Sequence, residues 1–216
     1  MEFLSMSRSE IRFHFDPRGH SRVDKVTVGA AILRYDTPNP SILLLKRNSG
    51  EKHYSDVFEI PGGKVDATDS TIRDAIVREV GEETQMKVLD ITAPLSRIRY
   101  TTKKIERTST GQEKIVKRHA LQLSYIVTVE GTEFQVEKKE HSTGIWATRD
   151  SLDQIPITSE MMKLVLEALD VAEDRQIERL RSGAGFRRFA AWAMFLLDEH
   201  EIVLWDLDLN KDESNF

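Results

Sequence analysis

The stretch PGGKVDATDSTIRDAIVREVGEETQM, Pro61 to Met86, joins a glycine-rich loop to a segment with four charges in the six residues Arg78 to Glu83. On a helix of 3.6 residues per turn, Glu79, Glu82 and Glu83 stand at i, i+3 and i+4 and share one face. Three carboxylates so placed repel one another by about 0.2–0.5 kcal/mol per pair. A hard divalent cation removes that repulsion, and Mg²⁺ takes one or two carboxylates together with waters and substrate phosphates. Ile72, Ala75, Ile76 and Val80, with Val77 at the margin, form an apolar stripe at helical spacing. The acidic face is therefore expected to point away from the core, with Ser70 or Asp69 as the helix cap. Gly62 and Gly63 permit close backbone approach, so the Pro-Gly-Gly turn would add a carbonyl ligand from Gly63. Taken alone, REVGEE reads first as a solvated helix surface, and it is the adjoining Gly-Gly loop that shifts the reading toward an ion site.

Upstream, KVTVGAAILRY (Lys25 to Tyr35) and SILLLKR (Ser41 to Arg47) read as strands, separated by a turn built on two prolines. Downstream, MKVLDI, LSRIRYTTKKI, KRHALQLSYIVTV (Lys117 to Val129) and STGIWATRD read as further strands. Ser151 to Ile155 reads as one helical turn. TSEMMKLVLEALDVAEDRQIERLRSG is a strong helix with Thr158 or Ser159 as its cap. Strands on both sides of an interior helix, followed by a long helix, predict an α/β fold with a mixed sheet covered on two faces. The expected divisions are an N-terminal extension over 1–24, a domain over 25–174 and a C-terminal extension of helix and strand over 175–216. Met6 offers a second start, which would make the first five residues an extension.

The 216 residues carry a formal net charge of -5, which disfavours a general nucleic-acid-coating role. No Cys is present, excluding disulfide, thiol and Cys-ligated zinc chemistry. No apolar run is long enough to cross a membrane, so a cytoplasmic or nuclear protein is expected. His14, His20, His53, His141 and His200 show no metal-ligand spacing.

The decisive stretch resembles the signature of the Nudix hydrolases, G-x5-E-x7-R-E-U-x-E-E-x-G-U, where U is bulky and aliphatic. Gly63 opens it, and Arg78-Glu79-Val80-Gly81-Glu82-Glu83 supplies its centre. The likeness runs from about Lys25 to Ala172. It departs in two places. The loop between Gly63 and Arg78 is one residue longer, so that Ser70 falls where the first Glu belongs, and Gln85 replaces the final Gly. In the family that first Glu pairs with the Arg. Asp69 or Asp74 would substitute, and Gln85 would suit a helix end without a left-handed residue.

The resemblance implies a Nudix α/β/α sandwich that uses Mg²⁺, or Mn²⁺, to hydrolyse a nucleoside diphosphate linked to another moiety. It makes Glu79 and Glu83 the main metal ligands, Glu82 a further ligand or water-orienting group, and Arg78 their brace. Glu140, six residues before Trp146, matches a late-loop metal-binding or base Glu of MutT-type members, with Glu137 as runner-up. Arg47 matches an Arg that reaches substrate phosphate. Phe58 and Glu59 border the loop where a base or sugar would sit, and Tyr100 and His119 are candidate contacts. Between Arg97 and Arg118 eight Lys or Arg face two Glu, so Lys103 and its neighbours would meet phosphates. Specificity for oxidised dGTP is not implied, because PITSE offers Thr158 and Ser159 rather than an amide.

Two other readings stay open. One is a Nudix-fold nucleotide-binding or regulatory module without catalysis. The other is an RNA-directed diphosphatase working through the basic hairpin. In the tail, Phe186, Phe189, Trp192 or Ala193, and Leu196 fit a helical stripe for intramolecular packing or a homodimer arm.

Overall fold

The structure is a computed structural model and describes residues 3–18, 22–35, 39–51, 54–107 and 113–181. Its framework is a seven-stranded mixed sheet. The β-branched run at Lys25–Arg34 forms β1, which lies parallel to β6 (Glu113–Val129) from Lys25 opposite Ala120 to Ile32 opposite Val127. The other edge of β6 carries β4 (Val88–Pro94) and β5 (Ile98–Arg107), both antiparallel. The apolar run Ser41–Arg47 is β2. It pairs with β1 through Ile42 and with the two-residue β3 (Phe58–Glu59) through Leu45. Along β2 also runs β7 (His141–Thr148), with Arg47 opposite His141.

Alternation along the strands divides the core in two. Val26, Val28, Ala30 and Ile32 of β1 join Leu121, Leu123 and Tyr125 of β6 on one face. That face is covered by α1 (Arg8–Phe15) and α2 (Ile72–Thr84). Ala31, Ile42, Leu44 and Ile126 point to the other face, where Leu164, Val165, Ala168 and Leu169 of α3 (Ser159–Arg181) cover them. The expected sandwich with helices on both faces is therefore present. Met161 donates its N–H to the Thr158 hydroxyl, the predicted cap. The turn predicted at Ser151 to Ile155 is a 3-10 turn over Arg149–Gln154.

Several local expectations change. Residues 1–24, read from sequence as loop and extension, contain α1, capped by Ser7 in a reciprocal capping box with Glu10. Phe3, Leu4 and Ile11 are buried and belong to the core. The cap of α2 is Thr71 rather than Ser70 or Asp69: its hydroxyl accepts the Asp74 N–H, and the Asp74 carboxylate accepts the Thr71 N–H. The Ile72 and Arg73 N–H groups donate to the Met6 and Leu4 carbonyls. With the Thr71 and Asp74 N–H groups paired in the cap, all four donors that a helix start leaves unpaired are satisfied. Val77 is exposed and does not belong to the apolar stripe.

Gln85, expected at a helix end without a left-handed residue, adopts that conformation, with φ 57° and ψ 14°. A side chain there costs about 1–2 kcal/mol, against about 0.5–1 kcal/mol of extra chain entropy for glycine. Gln85→Gly is therefore expected to raise stability by about 0.5–1 kcal/mol, read as a higher urea midpoint at an unchanged slope.

Residues Met1–Gln176 form one compact unit and Ile177–Phe216 a second. Of the second unit, 177–181 at the end of α3 are described. The tail stripe from Phe186 to Leu196 lies outside the described residues. So does the 108–112 turn of the basic hairpin. Among the described residues no helix is long and apolar enough to cross a membrane.

Candidate active site

The Pro-Gly-Gly loop lies along the middle of β1 and against the acidic face of α2. Ala30 N–H donates to the Pro61 carbonyl and Val28 N–H to the Gly63 carbonyl, both at 2.8 Å. The Gly63 carbonyl, a predicted ion ligand, thus has one of its two lone pairs occupied. Gly62 has φ 153°, and a Cβ there would fall 2.2 Å from the Val28 carbonyl oxygen, so only glycine fits. At Gly63 a Cβ would stand 2.6 Å from Glu79 Oε1. The loop glycines therefore let the backbone press directly on the carboxylates.

The acidic face points away from the apolar stripe, and the loop covers two of its three carboxylates. Glu79 is 8% exposed and Glu83 6%, whereas the Glu82 side chain is 60% exposed. Glu83 Oε2 accepts the Gly62 N–H at 2.8 Å. Burial pushes the Glu83 carboxyl up to about 9; the Gly62 hydrogen bond opposes this and the charges of Glu79, Glu59 and Glu140 add to it. Glu79 is also raised, by burial first, against the pull of Arg78.

The brace on Arg78 is Asp69. Arg78 Nε donates to Asp69 Oδ1 at 3.0 Å and Nη2 to Asp69 Oδ2 at 2.9 Å, a bidentate pair. Asp69 Oδ2 also accepts the Asp66 N–H, and Arg78 Nη2 donates to the Lys64 carbonyl. The remaining guanidinium nitrogen stands 3.0 Å from both Glu79 Oε1 and Glu82 Oε2. The extra loop residue thus moves the carboxylate from position 70 to Asp69, while Asp74 is committed to the helix cap.

A cleft of about 400 Å³ is lined among others by Lys25, Arg47, Phe58, Glu59, Tyr100 and Gln122; Glu79, Glu82, Glu83 and Glu140 do not line it. Arg47 Nη1 donates to Glu59 Oε1 at 2.6 Å and Nη2 to Glu51 at 2.9 Å. The Tyr100 hydroxyl lies 3.4 Å from Thr27 Oγ1. Lys103 alternates with Thr102 along β5 and does not line the cleft. His119 instead approaches Thr101. Glu140 is exposed, yet its charge acts on Glu79, Glu83, Lys25 and Arg47. The Glu137 carboxylate accepts the Lys139 N–H.

Two groups escaped the sequence reading. Lys25, the first residue of β1, stands half-buried in the cleft, its ammonium pushed down by burial and by the charges of Lys64 and Arg47. His141 has no ligand spacing in the sequence. It is 1% exposed, with Nε2 3.4 Å from Glu59 Oε1 and Nδ1 3.8 Å from Glu83 Oε1. Adjacency to Glu140 was the one signal for it in the sequence.

The donor set fits a hard divalent ion. Glu79 and Glu83 are buried oxygen donors whose mutual repulsion lacks a full counter-charge. Among the described residues, no three His, Asp or Glu side chains form a ready cage. Mg²⁺, which keeps waters and phosphate oxygens in its shell, does not require one. The raised Glu83 pKa carries a pH consequence. Between about 4.5 and 9 the folded carboxyl binds a proton that the unfolded chain has lost, so stability falls as pH rises through that window. Metal-free protein is expected to melt at lower temperature at pH 9 than at pH 6, and Mg²⁺ to recover more at pH 9. Glu83→Gln should flatten the slope in a thermal melt followed by circular dichroism.

No curated protein matches the chain. Among solved structures, the NUDIX domain of Shewanella oneidensis NrtR in complex with ADP ribose is similar at 19% identity, covering 77% of this chain and 99% of that one, with a TM-score of 0.53. The E. coli ORF135 protein is similar at 22% identity, covering 72% of this chain and 95% of that one, with a TM-score of 0.50. Both likenesses concern the fold. The NUDIX domain family model matches residues 25–168, well over half of the chain. Together with the braced arginine and the carboxylates beneath a Pro-Gly-Gly loop, this places the protein in the Nudix family.

Proposed function

We propose that this protein is a pyrophosphohydrolase that cleaves a diphosphate linkage in a nucleotide-derived substrate with the help of Mg²⁺ or Mn²⁺. The observation that carries the reading is the pair of buried carboxylates, Glu79 and Glu83, clamped between the Gly62–Gly63 backbone and Arg78. These two carboxylates would hold the ion, with Glu82 and Glu140 nearer solvent as further oxygen donors. The bound ion would neutralise the diphosphate and lower the pKa of the attacking water.

The chain's own residues supply position and charge. Lys25 and Arg47 present cations to phosphate oxygens at the cleft, and Phe58 and Tyr100 offer rings against which a base can lie. Glu140, which is exposed, would accept a proton from water, the role that its spacing from Trp146 suggests. Arg78 makes no approach to the cleft; its bonds to Asp69, Glu79 and Glu82 hold the acidic helix to the loop.

Phosphate or nucleotide release tests this over nucleoside triphosphates, sugar nucleotides, dinucleotides and ADP-ribose, the ligand named with the Shewanella domain. Turnover of at least one class is expected with Mg²⁺ or Mn²⁺, and its loss in EDTA. Tight nucleotide binding without turnover in either metal would replace the enzyme by a binding module.

A further inference from the structure

We propose that Asn48 is a positioning residue for Glu140, fastening the loop that carries this carboxylate to the end of β2 beside Arg47. The proposal rests on the hydrolase reading above, in which Glu140 accepts a proton from water, and it adds a group outside the Nudix signature.

Glu140 ends the turn over 138–140, directly before β7, and its side chain is exposed. Packing gives an exposed carboxylate on a turn no fixed place. Its backbone must be held if the group is to meet a water in one geometry. Asn48 supplies that hold. Its Nδ2 carries two N–H groups. They donate to the Lys138 and Lys139 carbonyls, each at 2.9 Å. The Asn48 main-chain N–H donates to the Glu140 carbonyl at 2.8 Å. Three successive carbonyls of the loop thus meet the three N–H donors of one residue. Serving two neighbouring carbonyls from one atom takes a nitrogen with two hydrogens, which a hydroxyl or an apolar side chain lacks.

The near side of the turn is tied to the acidic helix. Glu137 N–H donates to the Glu83 carbonyl at 3.0 Å, and His141 N–H to the Glu137 carbonyl at 3.3 Å. The Glu137 carboxylate accepts the Lys139 N–H at 2.7 Å. Of the two candidate carboxylates in this loop, Glu137 is therefore committed to the turn, and Glu140 is the one left to meet water. Its charge reaches the site, adding to the rise of both Glu79 and Glu83.

Asn48 serves the opposite side as well. Its carbonyl accepts the Glu51 N–H at 3.1 Å, and the Glu51 carboxylate accepts Arg47 Nη2 at 2.9 Å. The loop of Glu140 and the partner of Arg47 are therefore mounted on the same residue.

A double-mutant cycle in steady-state kinetics tests this on the best substrate of the panel. Glu140→Gln is expected to lower kcat about 10²-fold or more. Asn48→Ala keeps the main-chain N–H and loses both side-chain donors. It is expected to lower kcat about 10–100-fold, with KM within about threefold of wild type. In the Glu140→Gln background the same change is expected to cost less than about twofold, because the group it positions is gone. A residue that only steadies the fold would lower both backgrounds alike. Asn48→Ser, whose hydroxyl serves one carbonyl, should fall between wild type and the Ala variant, and it replaces Ala in the cycle if that variant does not fold. Wild-type kcat in the Asn48 variant, or an equal loss in both backgrounds, overturns the positioning role alone. Failure of the reading beneath it looks different. No turnover by wild type removes the hydrolase, Glu140→Gln at wild-type kcat removes Glu140 as the base, and this role falls with either.

Discussion

Glu83→Gln is expected to lower kcat/KM about 10²–10³-fold on any substrate the enzyme turns over, the scale seen when one preorganised charge-stabilising group is removed. The substitution keeps volume and removes a charge, so folding should survive. Indeed, the metal-free variant should be more stable above neutral pH, because it no longer holds a buried carboxylate that resists ionisation. Opposite movement of activity and stability distinguishes a functional carboxylate from a structural one. Glu82→Gln should cost less, since the Glu82 side chain is 60% exposed and meets Arg78 at its outer edge. Initial rates over a Mg²⁺ series check both variants. A Glu83→Gln enzyme that equals wild type on every substrate removes this residue from the mechanism.

The second large effect is expected at Asp69. Its carboxylate takes three hydrogen bonds, two from Arg78 and one from the Asp66 N–H, and its side chain is 5% exposed. Asp69→Ala leaves the Arg78 guanidinium with its Glu79 and Glu82 contacts and frees the loop over 66–70. Breaking a fully buried pair costs about 3–5 kcal/mol and an exposed one about 0–1 kcal/mol. Arg78 is 24% exposed, which places the loss at about 2 kcal/mol. Activity should fall as well, because the loop that presses on Glu79 and Glu83 loses its anchor. Asp74→Ala removes one helix cap, costing about 1 kcal/mol, and should leave the Arg78 geometry alone. The hydrogen bond from Arg78 holds the Asp69 carboxyl below its usual range, so its stabilisation is present at neutral pH and lost as pH falls through that lowered value. Urea midpoints at pH 7 and in mild acid check this. Equal losses in Asp69→Ala and Asp74→Ala would remove the distinction between brace and cap.

The sequence showed the acidic face because it is a local property: i, i+3, i+4 spacing needs nothing beyond the helix itself. It showed the sandwich for the same reason, since alternation in β1 and β2 and the stripe of α3 are written along each segment. It left the brace open between Asp69 and Asp74, because a loop one residue longer than the signature can close in more than one way. It missed His141 because the contact with Glu83 arises from strand register and from backbone bonds across more than fifty residues. The helix α1 was missed because eight mostly polar residues carry little pattern. Burial of Glu79 and Glu83 was not legible, because the loop that covers them is not part of the helix pattern.

The first residues of the chain also govern how the protein should be handled and altered. The carbonyls of Leu4 and Met6 receive the first two N–H groups of the helix that bears Glu79 and Glu83. A deletion that begins the chain at Met6 would remove Phe3 and Leu4 from beneath that helix without touching any acidic residue. Affinity tags and shortened variants at this end therefore act on the helix that bears Glu79 and Glu83, and a loss of turnover in such a protein would report a loosened mounting rather than a missing chemical group.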